Sequence, residues 1–178
     1  MKKISLLVTM LFLLATANTF AQETTDVSVS AEIATALTVT TTEDVEFGTI
    51  QQNVISTLPA SGSGTAAANL GNTAAPGEVT IAGGASESVI VTIIQEAILD
   101  NAGNDGPFTL TTEIYHVDTT TDLSLANEDD NADLSLDGSG DATLSIGGTL
   151  PAINFTGVFD TETGGGQPLT LEVQYGSL

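Results

Sequence analysis

The chain has 178 residues with 23 Asp and Glu against 2 Lys and Arg, one His and no Cys, and both cations, Lys2 and Lys3, stand at the extreme N-terminus. A polyanion of this kind is repelled from nucleic acid and from anionic membrane surfaces, since phosphate contact and counterion release both need cations. Phosphoryl transfer, Schiff-base chemistry and arginine clamping of a carboxylate fall on the same ground, and the missing Cys exclude disulfides and a lipoprotein anchor.

Met1-Lys2-Lys3, the apolar run Ile4 to Ala15 and the small-residue exit Thr19-Phe20-Ala21 read as a secretory signal peptide cleaved after Ala21. The apolar stretch, about 12 residues, is shorter than the roughly 20 that a spanning helix needs. Residues 22–178 are then expected as a single domain that keeps every acid and neither lysine, with a formal side-chain charge of -23. A chain of that size buries roughly 68–70% of its unfolded surface and needs no covalent staple.

Beyond the signal the dominant period is two, with Val, Ile, Leu and Thr alternating against polar residues, the mark of half-buried strands. Val27, Val29, Ala31 and Ile33 share a face that Leu37 and Val39 resume. Val45 to Ile50 reads as a short strand in which Gly48 marks a bulge or a close backbone approach. Residues 56–77 are small, Gly-rich and without any charge, and are expected as a long loop. A strand at Glu78 to Ile81, a Gly83-Gly84 turn and the apolar run Val89 to Ile94 follow, the last with both parities apolar, as in a strand buried on two sides.

Phe108 to Val117 continues the pattern, and Leu123/Leu125 with Leu134/Leu136 suggest a hairpin whose tip is the acidic stretch Asn127 to Asp133. Ala142, Leu144, Ile146, Gly148 and Leu150 alternate strictly with Thr143, Ser145, Gly147 and Thr149, Phe155 to Phe159 reads as the next strand, and Leu169, Leu171, Val173 and Tyr175 line the last. The expectation is all-β: an antiparallel immunoglobulin-like β-sandwich of about eight to ten short strands.

Four segments in register, Ala36 to Ile50, Gly77 to Gly84, Leu144 to Ala152 and Phe155 to Gly176, carry an early Phe-Gly element, a late Gly-Gly-Thr-Leu strand and a closing strand ending in Tyr. In these features the chain resembles the domain of unknown function 4402 family of exported β-rich proteins from Gram-negative bacteria. The resemblance implies an immunoglobulin-like sandwich in the periplasm, at the cell surface or outside the cell, and it brings no catalytic residues. Phe155 stands where the family usually has Tyr, and the acidic insertion Glu128 to Asp133 is unusual.

Candidate chemistry is sparse. His116, the single His, has Asp118 two positions on, so a Ser-His-Asp relay would run through it; it is expected instead as a solvent-facing or edge residue. Carboxylates abound for glycoside hydrolysis, but the chain has no Trp to stack a sugar ring. No enzyme is expected. Calcium is the one cofactor that the residues suggest, through Asp129, Asp130 and Asp133 in one oxygen-dense loop and Asp137 and Asp141 in a Gly-rich turn, although neither loop closes with the Glu of an EF-hand. The bland reading of the same residues is a solvated acidic surface.

Two functions from different classes fit. One is an exported structural subunit of a fimbria-like fibre or matrix, in which Val27 to Val39 or Leu169 to Tyr175 pairs with a neighbouring copy or another surface protein by strand addition. The other is a monomeric extracellular binding or adhesion module, calcium-stiffened, that touches its partner through loops 56–77 and 127–141.

Overall fold

A computed structural model describes residues 35–60, 70–101, 103 and 106–176. The expected signal segment, the alternating residues Val27 to Ile33 and the middle of the 56–77 loop lie outside the described residues. Among the described residues the chain forms eleven strands and no helix. They are β1 (Thr38–Glu43), β2 (Ser56–Leu58), β3 (Gly77–Ala82), β4 (Ser88–Gln95), β5 (Ile98–Leu99), β6 (Phe108–Thr109), β7 (Thr111–His116), β8 (Thr121–Asp122), β9 (Asn131–Ser135), β10 (Asp141–Leu150) and β11 (Thr170–Tyr175).

The strands pair antiparallel into a large sheet, β1-β3-β10-β7-β8 with β2 also on β10, a small sheet, β11-β4-β9, and a two-stranded ribbon, β5-β6. The large sheet is organised around β10, the longest strand. Its first half pairs β3, from Asp141↔Ala82 to Ile146↔Gly77, its last residues Gly148 to Leu150 pair β2, and its other side pairs β7 through Leu144↔His116 to Thr149↔Thr111.

The inner faces meet in one core: Val79 and Ile81 from β3, Ile114 from β7, and Ala142, Leu144 and Ile146 from β10 pack with Val89, Val91 and Ile93 of β4 and Leu134 of β9. This is a β-sandwich. Each fully buried Val or Ile contributes about 1.5–3 kcal/mol relative to exposure. A second cluster of Phe47, Leu58, Ala97, Leu110 and Leu150 fills one end, and Val45 and Leu169 pack against both clusters. The sequence β1-β3-β10-β7 reproduces the A-B-E-D order of an immunoglobulin domain. In the small sheet, by contrast, β4 holds the centre between β9 and β11, where an immunoglobulin domain has a later strand.

Several expectations change. Val45 to Ile50 is not a strand; it holds only a bridge, Glu46↔Ala75, while Phe47 drops into the second cluster. The close approach at Gly48 is present, because its φ is +62° and a Cβ there would stand 2.6 Å from Thr73 Oγ1. β4 is not buried on both sides: Val89, Val91 and Ile93 are fully buried, but Ile94 is 43% exposed. It is central in the hydrogen-bonding direction while one of its faces meets water.

Nor do Leu123/Leu125 and Leu134/Leu136 form a hairpin. β8 pairs β7 in the large sheet and β9 pairs β4 in the small one, so the acidic stretch crosses from one sheet to the other. Phe155 to Phe159 forms no strand, and its first residue is 39% exposed. Within the 56–77 loop the structure adds β2, whose Ser56 and Leu58 are buried.

Candidate functional site

His116 is buried, contrary to the expectation of a solvent-facing residue. β7 turns Thr112, Ile114 and His116 inward, and the imidazole shares this parity. Its Nδ1 lies 2.8 Å from Thr119 Oγ1 and its Nε2 3.6 Å from Asp118 Oδ2, which also accepts the Thr143 N–H at 3.0 Å. All three side chains come from one turn, and through Thr143 they fasten that turn to β10. The arrangement is a local cap that satisfies a buried ring.

The five candidate calcium ligands are placed as follows. Asp130 Oδ2 accepts the N–H groups of Ala126 and Asn127 and the Asn127 side-chain amide. Asp137 Oδ1 accepts the N–H groups of Ser139 and Asp141. These donors favour the ionised form and hold both carboxyls below the ordinary carboxylate value, the Ala126 N–H acting most on Asp130 and the Asp141 N–H most on Asp137. Asp129 has a φ of +69° and donates its N–H to Ile93 O, Asp133 pairs Ile90 in β9, and Asp141 pairs Ala82 at the start of β10. Among the described residues no group of three or more His, Asp or Glu is gathered closely enough to hold a metal ion.

Sequence reasoning missed a third carboxylate of the same kind. Asp160 Oδ1 accepts from the Thr163 hydroxyl and from the N–H groups of Glu162 and Thr163, which lower its pKa, the hydroxyl first. It bridges to Asp100, whose Oδ2 takes the Gly165 N–H at 2.6 Å. Asp100 is therefore tied to the turn that holds Gly165. Beside it, Phe108 packs edge-on against Phe159 at 5.3 Å and tilted against Phe155 at 6.4 Å, with Val158 80% exposed.

The sheet edges differ sharply in how they are guarded. β11 carries Glu172 at mid-strand, β9 carries Asp133 at mid-strand, and β8 is two residues long and ends in Asp122. Short length and mid-strand charge are the usual devices against unwanted pairing. β1 has neither: Thr38-Val39-Thr40-Thr41-Thr42 is uncharged, and all six of its residues are exposed. It pairs β3 on one side, and no other described strand pairs it. Of the two segments singled out for strand addition, the first pairs within the sandwich at Thr38 and Val39, its residues 27–34 lying outside the described residues, and the second pairs β4 from Thr170 to Tyr175. The charge-free, Thr-rich run of β1 is legible in the sequence, but its place at a sheet edge is not.

The features that carried the family resemblance also acquire physical roles. Tyr175 Oη accepts the Gly84 N–H and donates to Thr35 O, both at 2.8 Å, joining the end of β11 to the β3–β4 turn and to the approach to β1. Gly83 leaves room beneath it, since a Cβ there would stand 2.6 Å from the same oxygen. Gly147 lets the backbone of Leu58 to Ala60 cross the outer face of β10, while Gly148 lies close to Thr111 O and the Leu110 side chain.

A family model described as a domain of unknown function (DUF4402) matches residues 37–161, over two thirds of the chain. The match runs from the approach to β1 past β10 and stops before β11. No curated protein and no solved structure matches.

Proposed function

The chain belongs to the domain of unknown function (DUF4402) family, and from that premise we propose that it is an exported, non-enzymatic structural or surface subunit that associates by strand addition. The observation that carries this reading is β1, a six-residue edge exposed along its whole length and without a guarding charge before Glu43. The basic, apolar and small-residue pattern of residues 1–21 supports export to the periplasm, cell surface or extracellular space. The charge supports a proteinaceous partner rather than nucleic acid or an anionic lipid surface.

The partner is a second copy or another surface protein. A second reading, a monomeric adhesion module, draws on the exposed Phe155 and Val158 beside Phe108 and Phe159. Light scattering after size exclusion separates the two. Full chain expressed with its N-terminal segment and purified from the exported fraction is expected to start at Gln22 and to show a molar mass that rises with concentration, unchanged by chelator. A monomer at every concentration would overturn spontaneous assembly and favour the adhesion module.

A further inference from the structure

We infer that two copies of the chain pair through β1 about a two-fold axis at Val39, so that the large sheets of both run on as one antiparallel sheet. The inference rests on the strand-addition reading and adds to it the partner and the register. A two-fold axis normal to a sheet keeps each side chain on its own face, so a residue can stand opposite only a residue of like parity, and the axis must pass through a residue position. Regular pairing of β1 with β3 holds from Thr38 to Thr41 and shifts between Thr41 and Glu43. Within the uncharged stretch ahead of that irregularity, Val39 is the one apolar residue of β1.

An axis there sets Val39 against Val39, Thr38 against Thr40 and Leu37 against Thr41, all β-branched or apolar partners of the kind that stabilise cross-strand contact. It also sets Glu43 against Thr35, so no carboxylate faces another. An axis at Thr41 would bring Glu43 opposite Val39, and one at Glu43 would oppose the two acids directly. The face also fits. Val39 pairs Ile81 and shares its parity, yet Ile81 is fully buried while Val39 is 43% exposed, so the small sheet does not cover the inner face of β1. A second copy would bury the two valines against each other.

A pairing of about five residues a strand falls below the roughly 1,000 Å² that marks a stable interface, so the dimer should form with rising concentration. It should also tighten with added salt, because the like charges of the two copies lie outside the contact.

The absence of Cys permits a direct test by oxidative cross-linking of single-Cys variants of the full chain. Directly opposed residues of an antiparallel pair have Cα atoms about 4.5–5.5 Å apart, within disulfide reach, whereas diagonal neighbours stand roughly 7–8 Å apart. Val39→Cys is therefore expected to form disulfide dimers about tenfold faster than Thr40→Cys, and a mixture of Thr38→Cys with Thr40→Cys should cross-link faster than either alone. Val39→Cys reacting no faster than Thr40→Cys would overturn the inference. If the unmodified chain still oligomerised by light scattering, strand addition would survive without this axis; if it did not, both would fall. Circular dichroism of each variant guards against misfolding.

Discussion

Gly147→Ala probes how the large sheet is closed on its outer face. The backbone of Leu58 to Ala60 crosses β10 there: a Cβ on Gly147 would stand 2.2 Å from Leu58 O, 2.6 Å from Ala60 N and 2.8 Å from the Pro59 carbonyl carbon. All three are backbone atoms that no rotamer change can remove. Bringing the closest to 3.0 Å, the limit below which real Cβ contacts are essentially never seen, moves the segment by roughly 0.8 Å. The same segment is held at Ala60, whose N–H donates to Glu113 Oε2 at 3.3 Å and whose carbonyl accepts from Ser145 Oγ.

Overpacking costs about 1–3 kcal/mol, and weakening two hydrogen bonds adds about 0.5–1.5 kcal/mol each. A total near 3 kcal/mol is expected, a fall of about 6–12 °C in Tm for a domain of this size. Gly138→Ala is the control, since nothing lies within 4 Å of a Cβ there; it should leave Tm unchanged or raise it slightly. Differential scanning calorimetry of the two variants decides. A Gly147→Ala protein melting within about 2 °C of the parent would refute the seating of residues 58–60 on β10.

Tyr175→Phe removes the acceptor of the Gly84 N–H and the donor to Thr35 O, and is expected to cost about 1–2 kcal/mol in urea unfolding and to speed amide exchange at Gly84. Unchanged exchange at Gly84 would sink that assignment. Thr112 is buried, and among the described residues its hydroxyl has no hydrogen-bond partner, so Thr112→Val should stabilise by about 1 kcal/mol in the same assay, and a destabilised variant would contradict it. Asp130, Asp137 and Asp160 have folded pKa values below their ordinary 3.8. Their contribution is therefore present above that value and lost as pH falls through the lower folded values. The urea midpoint of the parent relative to a triple Asp→Asn variant should hold at pH 5 and shrink below about pH 4. A difference that does not change with pH would rule out these carboxylates as the source.

Much of the architecture was legible because a strand writes its burial into a period of two. The inward face of β10 and that of β11 read directly from alternating residues. Gly48 announced a close approach because only glycine tolerates one there. Alternation names the face of a strand, however, and not its neighbour. Leu125 and Leu134 have the local look of a hairpin, but pairing with β4 places β9 in the other sheet. His116 looked like an edge residue in a polar context, and it is buried because β10 covers one side of β7 and the turn caps its ring.

The unguarded edge was likewise invisible. Thr38 to Thr42 reads as an ordinary strand, and its open side exists because chain crossovers set β3 at one flank of it and no described strand at the other. Composition and periodicity are sums over local residues, so the sequence by itself determined the class and the inward faces of the strands. Which strands meet, which carboxylates are consumed by their own turns and which edge is left open depend on contacts between residues far apart in the chain, and only the tertiary structure decided them.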